Sequence, residues 1–512
     1  MKRLTALFLC LCLLLCAGCA EEAAEPEPGW EEYQQSQQEE PDTTIEEDTL
    51  QLPQVFTLAY HKDHTLDPIS CGEGIQQSVA ELLYEPLVQL DNAFEPQPLL
   101  CENWQSDGSS LVWTLQMRSG VLFSDGSELT AADAAASLQR AAASEKYGYR
   151  LRQVVSMTHN KHNQVIITLS QPNSSFPSLL NIPVVKRGTE SQSVPVGTGA
   201  YVFVNGAEGS FLQANPDWWQ GKDLPVPTIA LLHAKDLDTA VYLFSSRRIS
   251  LLCVDPTGDQ ISASGQVSET EMATAAMQFI GFNTRSGVFA DPVARQVFSR
   301  SLQRDMLVDA FFSGHGVAAS FPLSPLSPLY PADLEEADTH GEMLTQLAEL
   351  GYSSGAQTTL TLLVNEENPF RVAAAGYIAD SMSLGDWQIT VKALPWTDYM
   401  AALETGDFDL YYGEVRMTGD WDPTPLLATG GSLNYGGFSD VATDSLMQTM
   451  ASAPTRDNVA RLLCSGLLQT APIAPICFRS SVILTHPGVV ENITTTPGSL
   501  FGSFSDWIIH LA

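Results

Sequence analysis

The sequence predicts an α/β protein with a large ordered body, and two observations carry that expectation. Between residues 360 and 415 the pattern alternates twice: strand 360–364, helix about 369–384, strand 389–394, helix 397–404, strand 409–415. Two β-α-β units in succession require a parallel sheet, because each crossover helix returns the chain to the same end of the sheet. The second observation is that 44% of the 512 residues are hydrophobic, enough for a sizeable core spread over about two to four domains or a pair of lobes.

Upstream elements read in the same texture. Val55 to Tyr60 is a strand, followed by the loop around Asp67-Pro68 and an amphipathic helix from Gln76 to Tyr84, which Pro86 stops. Leu111–Met117 is rich in β-formers, Ser124-Asp125-Gly126 is a turn, and Thr130-x-x-Asp133 is a capping box opening an Ala-rich helix to about Ala143. A further strand covers Thr228–His233, and one long helical pattern runs from Asp291 to Phe312.

Charge and the first fifty residues restrict function. A net charge of −35 argues against nucleic acid as a partner, since phosphate backbones are bound by Lys/Arg stripes that this chain lacks. Lys2-Arg3 precede the apolar run Leu4 to Leu15, which is too short to span a bilayer and reads as an export signal. Ala17-Gly18-Cys19 resembles the bacterial lipoprotein signal, which implies lipidation of Cys19, although Cys16 stands where that signal usually has Leu; ordinary cleavage after Ala20 is the other reading. Residues 21–48 hold twelve acidic groups and no Lys or Arg, so 20–51 reads as a self-repelling tether. Cys71, Cys101, Cys253, Cys464 and Cys477 are scattered, which argues against both a disulfide framework and a Cys-x-x-Cys metal site.

Ordered motifs give a more specific expectation. Tyr84-Glu85-Pro86-Leu87-Val88, Arg118-Ser119-Gly120-Val121-Leu122-Phe123-Ser124-Asp125-Gly126, Gly197-Thr198-Gly199-Ala200-Tyr201, Asn215-Pro216-Asp217-Trp218-Trp219, Gly281-Phe282-Asn283-Thr284 and Asp420-x-Asp422-Pro423 follow one another from about residue 54 to the C-terminus. In order and spacing the body resembles the extracytoplasmic solute-binding proteins of ABC transporters, oligopeptide/dipeptide-binding family (family 5). The resemblance implies a bilobed periplasmic-binding-protein-like fold with an extra subdomain inserted in lobe I. Carried onto this chain, 1–19 is the signal, lobe I comprises 51–76, 185–275 and 480–512, the inserted subdomain 77–184, and lobe II 276–479. It implies a non-enzymatic, monomeric receptor outside the cytoplasmic membrane, lipid-anchored, with an ABC permease and a peptide or peptide-like solute as partners and no cofactor.

Site residues follow from the same resemblance. Asp420 matches the aspartate that pairs with a peptide's α-ammonium, a task suited to a carboxylate in a closing cleft; capping of the turn before Pro423 is the alternative role. Trp396 matches a cleft aromatic and reads equally well as a packing residue. Arg416 lies near a position where relatives place a base for the ligand carboxylate, and Trp421, Asn434 and Tyr435 are further cleft candidates with structural readings of their own. No catalytic or metal-ligating residue is expected: the chain has no Gly-x-Ser-x-Gly elbow, phosphate-binding loop or dinucleotide fingerprint, and His61-x-x-His64 and His159-x-x-His162 lack the partners of a zinc site. A nickel-metallophore or an oligosaccharide is the alternative cargo, and an extracellular hydrolase or a permease-free sensor or adhesin the alternative class.

Overall fold

The computed structural model describes residues 52–207, 209–257 and 265–512. The expected signal 1–19, Cys19 and the tether 20–51 lie outside the described residues.

Three sheets organise the chain. In the first, Thr57–Tyr60 runs parallel to Thr228–His233, which continues antiparallel into Gly209–Ala214 and Tyr201–Gly206. Helix Ile75–Leu83 crosses the expected boundary at 76/77 and buries Val79, Leu82 and Leu83 in one core with Phe56, Leu58 and Ile229, so its apolar face belongs with this sheet.

The second sheet is antiparallel throughout, in the order Cys101–Ser106, Val112–Met117, Gln164–Leu169, Val154–His159. Trp113, Leu115 and Met117 alternate inward, as a half-buried strand requires, and meet Ala134, Leu138 and Ala141 of helix Ala131–Ala142. The capping box that opens this helix is present: the backbone N–H of Thr130 donates to the Asp133 carboxylate at 3.0 Å.

The third sheet has seven strands. Leu251–Val254, Ile473–Thr485, Ser268–Phe282 and Leu410–Arg416 pair antiparallel, and Leu410–Arg416, Thr358–Asn365 and Trp387–Leu394 then continue in parallel; Gly316–Ala318 adds beside Ile473–Thr485. The parallel part, with helices Pro369–Met382 and Trp396–Thr405 between its strands, is the β-α-β arrangement read from the sequence. The first helix opens on Pro369 and is capped by Asn368, whose side chain accepts from the Arg371 N–H at 3.0 Å; the second stops at Gly406, which takes a left-handed φ of 75°.

The two long strands link the two halves of this sheet. Ser268–Ala273 pairs with 480–485 next to Leu251–Val254, whereas Met277–Gly281 pairs with 473–478 next to Leu410–Arg416. The ladder is interrupted between Ala273 and Met277, where Thr274 donates its hydroxyl to the Arg479 carbonyl at 2.6 Å. A bulge of this kind bends and twists a strand pair locally.

One expected element is divided. The 291–312 pattern forms two helices, Pro292–Arg300 and Arg304–Phe311, separated at Gln303 (φ −81°, ψ 74°). The break turns Leu302 into the core and lets the Arg304 guanidinium donate to the carbonyls of Ala319 (3.2 Å) and Pro475 (2.8 Å). Periodicity shows the apolar face but not the tertiary contacts that bend it. Among the described cysteines, Cys71, Cys101, Cys464 and Cys477 are buried and Cys253 is partly exposed, each as a free thiol.

Candidate ligand cleft

A cavity of about 320 Å³ opens at the strand interruption. Its walls come from the start of helix Ile75–Leu83, from Met272 to Ala276, from Arg416 to Gly419 and from Arg479 to Ser481. It therefore lies beyond the carboxyl end of strand Leu410–Arg416, where open α/β sheets bind ligands, and its volume falls at the lower end of the usual 300–1,000 Å³ or so for ligand sites. The wall depends on Gly419: a Cβ there would lie 2.6 Å from the Ser178 carbonyl oxygen, so only glycine permits this approach of the 173–178 segment.

Ion pairs fix the floor of the cleft. Arg479 donates to Asp255 at 2.5 Å and to Glu414 at 2.7 Å, and Arg371 reaches the same Glu414 at 2.8 Å. Burial works against ionisation of Asp255, but the Arg479 guanidinium together with the N–H and hydroxyl of Thr257 outweighs it and holds the carboxyl below its ordinary pKa. Arg479 therefore ties Ile473–Thr485 to both the loop after Leu251–Val254 and strand Leu410–Arg416.

A second cavity of about 170 Å³ adjoins the first, and Gln77, Glu81, Tyr147 and Asn181 wall both. Behind it Glu85 is almost fully enclosed. One of its oxygens accepts from Trp218 Nε1 (3.1 Å) and Gln220 Nε2 (2.8 Å), the other from Trp219 Nε1 (2.7 Å) and Thr198 Oγ1 (2.8 Å). Burial pushes its pKa up against the pull of these donors. Three of the sequence motifs thus meet in one polar knot. Its glycines are equally constrained: a Cβ on Gly197 would sit 2.1 Å from the Leu83 carbonyl oxygen, and one on Gly199 2.4 Å from that of Leu82.

Of the six expected ligand residues, Arg416 walls the cleft and pairs with Glu73 across it at 3.1 Å. Asp420 follows the strand end as expected but lines neither cavity. It is 5% exposed; one carboxylate oxygen accepts from Asn173 Nδ2 at 2.8 Å, the other from the Thr418 hydroxyl, and its carbonyl accepts from Arg456. Burial and then nearby Asp422 push its pKa up, while the donors from Thr418 and Asn173 oppose them. Trp421, in a left-handed conformation (φ 54°), is buried edge-on against Phe94 (4.9 Å) and Phe478 (5.7 Å).

Asn434 staples its own loop, donating to the carbonyls of Ala428 and Phe438. Tyr435 offers its carbonyl to Arg285 and the edge of its ring to Tyr411. Trp396 is 55% exposed, with its backbone N–H donated to Glu367 and its ring stacked on Tyr399. None of these three walls either cavity. Glu81, Arg150, Asn181 and Arg479, which do, had no sequence signal beyond a carboxylate set among the apolar residues Val79, Ala80, Leu82 and Leu83.

A crevice at the bulge of two long paired strands, next to a parallel α/β unit and an appended antiparallel sheet, is the architecture of a bilobed α/β binding protein. Residues 95–437 match the family described as "Bacterial extracellular solute-binding proteins, family 5 Middle", and the chain belongs to it. The heme-binding protein A of Haemophilus influenzae is 24% identical over 437 residues, covering 75% of this chain and 78% of that protein. The glutathione-binding protein GsiB of Salmonella typhi is 26% identical over 400 residues, covering 71% and 76%. Among solved structures, HbpA2 from Haemophilus parasuis superposes with a TM-score of 0.74 at 19% identity, covering 87% of this chain and 98% of that one. The unliganded open form of the periplasmic murein tripeptide-binding protein MppA gives 0.73 at 19% identity, covering 86% and 95%. The fold is that of these bilobed α/β binding proteins. Among the described residues no helix is long and apolar enough to cross a membrane, and no group of His, Cys, Asp and Glu is placed to hold a metal ion.

Proposed function

We propose that this protein is the substrate-binding component of an ABC importer, capturing a peptide or peptide-like solute outside the cytoplasmic membrane and passing it to the permease without chemical change. The observation that carries this reading is the cleft at the bulged strand pair, lined by acids and bases together: Glu73, Glu81 and Asp255 against Arg150, Arg416 and Arg479. Such a lining suits a zwitterionic guest, with amides of the guest meeting backbone groups and water. The relatives named for murein tripeptide and glutathione support cargo of this class.

In this reading lobe I comprises 51–76 with the rest of helix Ile75–Leu83, 185–275 and 480–512, the inserted subdomain the remainder of 77–184 and lobe II 276–479, and the two long strands crossing between lobes are the hinge. Cys19 carries the lipid, and 20–51 holds the monomeric body off the membrane. Closure on cargo is a population shift; taking the open and closed forms from 1:99 to 99:1 requires about 5.5 kcal/mol of differential binding.

Native mass spectrometry of the purified protein, before and after addition of a tripeptide pool, tests the reading. A retained peptide mass is the expected result. Retention of a nickel complex or an oligosaccharide in its place would overturn the cargo, and peptide cleavage would overturn the non-enzymatic role.

A further inference from the structure

The charged groups that line the two cavities differ in how far the protein already satisfies them. Glu73 pairs with Arg416, Asp255 pairs with Arg479, and Glu85 has both oxygens filled by four donors. Glu81 is different. Its Oε2 accepts from the backbone N–H groups of Leu500 (2.7 Å) and Phe501 (3.2 Å) and from the Ser499 hydroxyl (3.3 Å), which fixes the carboxylate plane. Its Oε1 meets no donor among the described residues, and no cationic side chain among them comes within ion-pair distance; Lys146 acts on it only from farther away.

Position adds to this. Glu81 walls both cavities, so the surface it retains faces the cleft and its side chamber. A carboxylate only partly open to water gains from a cation that meets it, and this one is oriented by three donors on one oxygen with the other left open toward the cavities. Arg150 stands on the same cleft wall, its Nη1 donating to Asn181 at 2.7 Å.

We propose that Glu81 is the anchor for an ammonium group of the ligand, which lies at the junction of the two cavities with ligand substance on either side. This rests on the capture of a peptide-like solute proposed above and assigns the amine contact to Glu81, since Asp420 is buried, accepts from Asn173 and Thr418, and lines neither cavity. Binding here is an ion pair formed inside the protein, of the charge-assisted kind that is lost when either partner is neutralised.

Calorimetric titration of the full chain with three probes tests the proposal: a defined pool of tripeptides, the same pool N-acetylated, and the non-peptide diamine putrescine. The wild type is expected to bind the free-amine pool at least about tenfold more tightly than the acetylated pool, a contrast that needs no variant. Glu81→Gln, which keeps an oxygen for the Leu500 and Phe501 N–H groups, is expected to erase that contrast, with thermal unfolding confirming that it folds. If the wild type binds both pools alike, or Glu81→Gln binds as the wild type does, the Glu81 anchor is overturned while peptide capture stands. Glu81-dependent binding of putrescine without either peptide pool overturns peptide capture and leaves the anchor standing. Binding of none of the three overturns both.

Discussion

Asn173 donates a 2.8 Å hydrogen bond to the buried carboxylate of Asp420, joining the segment after the antiparallel sheet to the turn that follows strand Leu410–Arg416. Neighbouring contacts reinforce the junction: the Ser174 N–H donates to the Ala451 carbonyl at 2.7 Å, Arg456 to the Ser175 hydroxyl at 2.6 Å, and Arg152 pairs with Asp422 at 2.7 Å. A double-mutant cycle on Asn173→Ala and Asp420→Ala, read by urea denaturation, is expected to give a coupling of about 1–3 kcal/mol. A coupling near zero would show that the contact does not persist in solution.

Replacing Glu85 leaves two indole N–H groups, an amide and a hydroxyl facing a buried gap. Glu85→Ala is expected to cost about 3 kcal/mol or more. The shift in urea midpoint measures it, and Glu85→Gln, which retains one acceptor oxygen, is expected to fall between the two.

Arg479 neutralises two carboxylates at once. Arg479→Met is expected to destabilise by about 1–3 kcal/mol, less than for a fully buried pair because Asp255 is partly exposed, since Asp255 and Glu414 then keep only Arg371 as a cation beside them. Asp255 has a lowered pKa in the folded protein, so its contribution is present above the unfolded value of 3.8 and disappears as pH falls through the folded one. The acid limb of the stability profile is therefore expected to flatten in the variant.

Glu81 has the opposite sign. Desolvation pushes its pKa from 4.5 up to about 7 against the donors at 499–501, with Lys146, Tyr147, Cys71 and Cys253 around it. Below pH 4.5 the group is protonated in both states and contributes nothing. Between 4.5 and about 7 the unfolded chain ionises first, so stability of the empty protein falls with rising pH, by at most about 3 kcal/mol, and then levels off. Subtracting the profile of Glu81→Gln from that of the wild type isolates this slope; equal profiles would place the carboxylate in contact with bulk water.

The parallel unit from Thr358 to Arg416 was legible because its inner strands are short apolar runs buried on both faces, 362–365 and 410–413, alternating with helix-length segments. The Asp420 position was legible as a strand end, but its chemistry was not: Asn173, which occupies its carboxylate, lies 247 residues away. Glu81 was hidden for the same reason, since the Leu500 N–H that holds it is 419 residues distant. Tyr84-Glu85, Thr198 and Trp218-Trp219 stood out as motifs without showing that they converge on one carboxylate. Local pattern specifies which residues turn inward, and only the assembled chain determines what they meet.

The placement of Ile473–Thr485 governs how the molecule can be made. This strand lies between Leu251–Val254 and Ser268–Phe282, yet it is translated more than 180 residues after both. Until it emerges, Leu251–Val254 and Gly316–Ala318 have no partner in the largest sheet, so this long-range pairing forms only once the chain beyond residue 473 is available. Truncation before residue 473 therefore unties Leu251–Val254 and Gly316–Ala318 from the rest of the sheet at a single stroke.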